Sequence, residues 1–262
     1  MLSICRLTHM CSPPCFVFCA GSDSWDGRKT NMAKRKTLLI IGATGDVGRG
    51  IVAAATSRGW RVAAAARSPA KLDELVVEFP DILPIAGDVG SPSAATALMQ
   101  RGETQLGGLD GVVVSVNAPA RMQPLFDNDE DSLVDLFRSN VVSHFHAAKA
   151  ALDVMRPDGV LLGIGGGMAD WVPKNGTHQS IVQAGLRNFY RGLAKEFPDR
   201  SIRQMQIVSM VNGKSKRAIA QDSWLTDLEC GEHACAILDA PAAFEGPVVV
   251  LKNRENVGRT AV

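Results

Sequence analysis

Aromatic residues are scarce, 5 % of the 262, and Tyr190 is the one tyrosine. Stacked rings therefore cannot fill the interior, and the plentiful Ala, Val and Gly point instead to close packing of helices on a sheet. A dominant charge is lacking too. The 28 Lys and Arg nearly balance 27 Asp and Glu, which argues against nucleic-acid binding through a broad basic field. No apolar run approaches the roughly 18–20 residues that span a bilayer. Apolar residues at 46 % and charged residues at 21 % suit an ordinary globular chain. Such a chain buries about three-quarters of its unfolded surface and needs no disulfide or metal staple. The expectation is a cytoplasmic α/β protein with no membrane or nucleic-acid partner.

The cysteines are unevenly spread. Cys5, Cys11, Cys15 and Cys19 crowd one end, while Cys230 and Cys235 lie near the other. The first four lack the paired C-x₂-C spacing of common zinc sites, so no metal is expected. Residues 1–31 show neither helical nor strand periodicity, and Pro13-Pro14 interrupts their apolar patch. They read as a poorly ordered N-terminal extension or mis-assigned start, with targeting or metal binding as alternatives. Met32-Ala-Lys-Arg-Lys36 resembles a natural start, and the domain is expected over 32–262.

From Thr37 onward, short apolar runs alternate with helical patterns. Strands are expected at 37–41, 61–66, 82–86, 111–116, 159–164, 203–209 and 246–251. Helices are expected near 47–58, 69–78, 91–103, 130–156, 176–198 and 226–239. Val134, Phe137, Val141, Phe145, Ala148, Leu152 and Met155 make the fourth the clearest, stepping by three or four. The fold class is α/β: a single doubly wound parallel sheet of about seven strands, covered by helices on both faces.

Strand one runs directly into Gly42-Ala-Thr44-Gly45-Asp46-Val47-Gly48, a G-x-x-G-x-x-G turn that opens a helix. Glycines let the backbone approach a pyrophosphate, and the helix N-terminus supplies free N–H groups. This strand–turn–helix context is that of a Rossmann-type dinucleotide site. NAD sites place an acid at the end of strand two, whereas this chain has Arg67-Ser68. A guanidinium and a hydroxyl suit a 2′-phosphate, so NADP(H) is expected over NAD(H).

With these residues in order, the pattern resembles the short-chain dehydrogenase/reductase family from Thr37 to Leu251. The resemblance implies an oxidoreductase acting on a small molecule, assembled as a homodimer or homotetramer. It implies further that Asp88-Val89 contacts the adenine and that Asn117-Ala118 opens the N-A-G motif, Pro119 replacing its glycine. Asn140 matches the asparagine that orders a water in the proton relay. The family's catalytic Ser, Tyr and Lys are absent: aligned on Gly159, their positions hold Gly166, Gln179 and Gln183. Glutamine hydrogen-bonds but does not ionise, so the usual proton donor is gone.

The candidate catalytic set is therefore Asn140, His178, Gln179 and Gln183. His178 reads either as an exposed helix-start residue or as a substitute acid. Lys174 reads as a solvated loop lysine or a second substitute. Tyr190 lies too far along its helix to replace the phenol. His144 and His146 splay apart and form no metal pair. The 209–225 stretch is expected to be the substrate-side lid, with Trp171, Met210 and Trp224 lining a pocket or packing in the core. Three functions remain open. One is an NADP(H)-dependent oxidoreductase of a small carbonyl or alcohol with a non-standard proton donor. Another is a non-redox nucleotide-binding sensor or scaffold. The last is a lyase, isomerase or cyclase using the same cleft.

Overall fold

A computed structural model describes residues 35–119 and 121–259. The four clustered cysteines and the boundary expected near Met32 lie outside these residues. Seven parallel strands form one sheet: β1 (Thr37–Ile41), β2 (Arg61–Ala66), β3 (Leu83–Ala86), β4 (Gly111–Val114), β5 (Val160–Gly166), β6 (Ser201–Ile207) and β9 (Val248–Leu251). A separate parallel pair, β7 (Val211–Asn212) and β8 (Leu225–Thr226), pins the ends of the expected lid. The helices are α1 (Asp46–Ser57), α2 (Pro69–Glu78), α3 (Pro92–Leu106), α4 (Glu130–Phe137), α5 (Ser143–Val154), α6 (Thr177–Glu196) and α7 (Asp227–Asp239).

The sheet order β3-β2-β1-β4-β5-β6-β9 reverses direction between β1 and β4. In doubly wound sheets, that switch point opens a crevice at the carboxyl ends of the strands. Period-two alternation divides the core into two layers. Leu38 and Ile40 of β1 pack with residues of α1, α2 and α7, whereas Leu39 and Ile41 pack with α3, α5 and α6. Ser68 and Ser91 cap α2 and α3, each followed by a proline at the first turn. Thr226 and Glu229 form a reciprocal capping box on α7.

Several element bounds shift by two or three residues and the β7–β8 pair was not expected, but two differences shape the site. The single helix expected over 130–156 is broken by a π turn, Arg138–Val142, between α4 and α5. The fourth strand ends at Val114, so Ser115 and Val116 belong to the crevice loop. Among the described residues, no helix is long and apolar enough to cross a membrane.

Beneath the crevice the core is polar. The Tyr190 ring fills the space over Gly163, where a Cβ would collide with it. Its hydroxyl donates to His144 Nδ1 at 2.8 Å, while His144 Nε2 donates to the Val116 carbonyl at 2.9 Å. The two bonds together fix one neutral tautomer. Tyr190 thus serves packing, as its distance along the helix implies. Gln204, 0 % exposed, lies against Gly165 and finds no partner for either end of its carboxamide among the described residues.

Desolvation of the buried ring lowers the His144 pKa to about 4, and that of His233, on α7, also to about 4. Unfolded, both return to about 6.5. The unfolded chain therefore binds more protons between these values. Stability is full above pH 6.5 and falls as pH drops toward 4, by roughly 1.4 kcal/mol per pH unit for each ring. Thermal melts between pH 7 and 5 should show this slope. The double variant His144→Asn/His233→Asn, less stable at neutral pH, should lose most of it; an unchanged slope would refute the assignment. Gln204→Met, which removes an orphaned amide at similar length, should raise stability by about 1–3 kcal/mol in urea melts. A destabilised variant would show that the amide is satisfied.

Candidate active site

The crevice begins at Gly42, whose φ of +83° lies in the left-handed region. Gly42 and Ala43 both donate backbone N–H groups to the Ala65 carbonyl, at 2.9 and 3.1 Å, tying the turn to β2. A Cβ at Gly42 would collide with the Ser115 carbonyl, and one at Gly48 with the Gly42 carbonyl. Gly45 then caps α1, with Asp46 in its first turn and Val47 packed against the core. The result is a bare backbone cradle facing a helix N-terminus.

Beside it lies a cavity of about 380 Å³, whose lining includes Arg67, Asp88, Val89, Asn117 and Ala118. The residues expected at the adenosine end are thus brought together from the ends of β2, β3 and β4. Ser68 does not line this cavity. Its hydroxyl accepts the Lys71 N–H at 3.4 Å as the cap of α2, which leaves its own proton free to be donated.

The other half is built on amides. Asn140 sits in the π turn, buried, where Nδ2 donates to the Leu136 carbonyl at 2.7 Å and Oδ1 accepts the Ala118 N–H at 3.2 Å. It thereby holds the Asn117–Pro119 loop in place. Gln183 Oε1 accepts the Gly166 N–H at 2.7 Å, and Nε2 donates to Asn117 Oδ1 at 3.1 Å. This one side chain clamps the ends of β4 and β5. Gln179, one turn earlier on α6, is buried, and its carboxamide makes no hydrogen bond among the described residues.

His178 overturns the expectation of an exposed helix-start histidine: it is 2 % exposed. Its Nε2 donates to the Arg121 carbonyl at 2.7 Å, and its buried Nδ1 has no partner among the described residues. That tautomer leaves a lone pair on Nδ1 able to hold a proton. Lys174 is exposed in the loop before α6. Trp171 and Met210 are 63 % and 50 % exposed, which rules out core packing for both, while Trp224 is half-buried. Among the described residues, no three His, Cys, Asp or Glu side chains gather as a metal site.

Several polar residues near the cleft escape sequence reasoning. Gln206, buried on β6, donates from Nε2 to Asp170 Oδ2 at 2.6 Å, and Asp170 also pairs with Arg187 of α6. The signal available was Gln204 and Gln206 alternating with Met205 and Ile207.

A family model described as enoyl-(acyl carrier protein) reductase matches residues 42–223. A short chain dehydrogenase of Pseudocercospora fijiensis is 29 % identical over 62 % of this chain, and the match spans about half of that protein, 54 %. A versicolorin reductase of Emericella nidulans is 29 % identical over 73 % of this chain and 72 % of its own. Human L-xylulose reductase is 34 % identical over 40 % of this chain and 41 % of its own. Among solved structures, a short-chain dehydrogenase/reductase mutant of Serratia marcescens superposes with a TM-score of 0.74 at 19 % identity, covering 84 % of this chain and 97 % of that one. An NADH-dependent reductase responsible for alginate metabolism gives 0.72 at 18 % identity, covering 84 % and 96 %. With the sheet order and the glycine cradle, these matches place the chain in the short-chain dehydrogenase/reductase family, whose members are oxidoreductases using nicotinamide dinucleotides.

Proposed function

We propose that this protein is an NADP(H)-dependent oxidoreductase that reduces a small carbonyl, or oxidises the matching alcohol, with a non-standard proton donor. The observation that carries the cofactor reading is Arg67, which lines the adenosine-side cavity where the NAD-type acid would otherwise stand. The bare cradle at Gly42 and Gly48 fits a pyrophosphate. Versicolorin reductase and L-xylulose reductase are named as reductases, which supports the reductive direction here.

When bound, NADPH supplies the hydride, and this chain's residues do the rest. The turn from Gly42 to Gly48, with Thr44, Gly45, Asp46 and Val47, holds the phosphates through its backbone. Asp88 and Val89 border the adenine, and Asn117 and Ala118 the far side of the crevice. Gln179 offers its unpaired carboxamide to a substrate carbonyl oxygen. His178 keeps its Nε2–H on the Arg121 carbonyl, passes a proton taken up from solvent at Nδ1 to the nascent alkoxide, and is reprotonated from solvent. Gln183 keeps the strand ends in register rather than tuning an acid. The apolar groove between α5 and α6, about 650 Å³ and bordered by Phe145, Leu152, Phe189 and Leu193, supports assembly as a homodimer or homotetramer. A nucleotide-binding sensor is the second reading. It is favoured by the full engagement of Gln183 in structural bonds.

NADPH should bind more tightly than NADH. A charge-assisted phosphate contact contributes on the order of 1.5–3 kcal/mol, and Arg67→Ala should erase most of the preference in fluorescence titrations. Equal affinities in the unmutated protein would refute the cofactor assignment.

Rebuilding the family's relay tests the chemistry. A Cβ at Gly166 would lie 3.5 Å from Gln183 Oε1, an ordinary contact, so Gly166→Ser fits. Gln179→Tyr with Gln183→Lys returns the phenol and ammonium to one helical face. In a screen of carbonyl substrates followed by NADPH absorbance, the triple variant should gain about 10²–10⁴-fold, the usual contribution of general acid catalysis. Brisk reduction by the unmutated protein, abolished by His178→Ala and untouched by Lys174→Ala, would establish the histidine as donor. Binding without turnover in every variant would favour the sensor.

A further inference from the structure

The segment joining β7 to β8 was expected to cover the substrate side, but its first residues lie across the opening turn of α1. Ser215 donates its backbone N–H to Asp46 Oδ1 at 2.9 Å and its hydroxyl to Asp46 Oδ2, and Lys216 Nζ stands 3.7 Å from that same oxygen. The backbone at Gly213 runs so close that a Cβ there would collide with the Asp46 side chain. From this strap Lys214 reaches across to α2, where its Nζ lies 3.0 Å from Glu74 Oε2. A further cavity, about 210 Å³, opens here, its lining including Thr44, Asp46, Arg49, Lys71, Glu74 and Lys214.

The charges in this cavity are unequal in their freedom. Arg49 is buried and paired with Glu78. The Lys214–Glu74 pair is more than half exposed on both sides, and such pairs are weak. Lys71 makes no close ion pair among the described residues, although its charge also acts on Glu74. Its backbone N–H is bonded to Ser68 Oγ, so Lys71 stands one turn from the Arg67-Ser68 edge. A phosphate monoester at that edge carries nearly two negative charges against the single charge of Glu74. Lys214 gains by exchanging one for the other.

We propose that Lys214 is a cofactor-selectivity residue carried by the strap: with Lys71 it binds the 2′-phosphate of the dinucleotide, and Asp46 anchors the strap that delivers it. The proposal rests on the NADP(H) reading above. It assigns discrimination to a cation on the strap as well as to the strand-end Arg67. Glu74 becomes the resting counter-ion that Lys214 leaves on binding.

The test is a set of binding titrations with NADPH, NADH and 2′,5′-ADP on the unmutated protein and on Lys214→Met, Lys71→Met, Asp46→Ala and Arg67→Ala. Lys214→Met should weaken NADPH and 2′,5′-ADP about tenfold, equivalent to 1.4 kcal/mol, and leave NADH unchanged. Asp46→Ala should reproduce part of that loss. Limited trypsin digestion gives a second readout: NADPH should protect the bonds after Lys214 and Lys216 more than NADH does in the unmutated protein. If Lys214→Met leaves NADPH affinity intact while Arg67→Ala weakens it, the role of Lys214 is overturned and the NADP(H) reading stands. An equal loss for NADPH and NADH would make Lys214 merely structural and overturn it too. If the unmutated protein shows no preference for NADPH, the cofactor reading fails and this proposal falls with it.

Discussion

At the switch point of the sheet, the backbone of Gly42 passes so close to the Ser115 carbonyl that no side chain fits between them. The rest of the cleft depends on this approach. It lets β1 hand the chain into α1 without a bulge, and it sets the N-terminus of α1 beside the end of β4. The two N–H bonds from Gly42 and Ala43 to Ala65 then fix β2 in the same frame, which aims Arg67 at the crevice. An alanine at Gly42 would therefore disturb three strands together, because the collision is with backbone rather than with a side chain that can turn away.

The catalytic half obeys a different constraint. The family resemblance aligns Gly166, Gln179 and Gln183 with its hydroxyl, phenol and ammonium, and the geometry shows how Gly166 and Gln183 suit each other. Gly166 leaves its N–H open for Gln183 Oε1, and the other end of Gln183 takes Asn117. A lysine there could donate to Asn117 but could not accept from Gly166. Gln183 is therefore a neutral clamp between two strand ends. The polar set continues beneath the sheet through Gln204, Gln206 and Asp170, against strand glycines that leave room for long side chains.

The sheet, its helices and the cradle were legible because they depend on local signals: alternation, caps, and glycines directly after a strand. That Arg67, Asp88 and Asn117 would gather in one cavity was legible for the same reason, since each follows closely on a strand. The π turn was hidden, since one added residue per turn over Arg138–Val142 barely disturbs a stripe of apolar residues stepping by three and four. Burial of His178 was hidden as well. Its partner is a carbonyl at Arg121, in a loop whose path periodicity does not describe. The strap escaped because Asp46 reads as a favourable first-turn acid, and nothing local reveals that Ser215 comes back to it.

These differences have one physical origin. Cofactor recognition at the cradle uses backbone atoms and the free groups of a helix end, so it persists through wide change in side chains. Proton transfer requires particular ionisable groups at particular places, so it vanishes when three residues change. A chain can therefore retain the dinucleotide frame of its family while its chemistry is rebuilt from what remains. Here what remains is a buried imidazole with one free nitrogen, an unpaired carboxamide one residue along, and a strap of lysines held to the turn by Asp46. The imidazole and the carboxamide lie at the start of α6, while the strap crosses the start of α1. On the proposed reading, selection of the cofactor and transfer of the proton would fall to separate elements, so that each could be altered without unfolding the other.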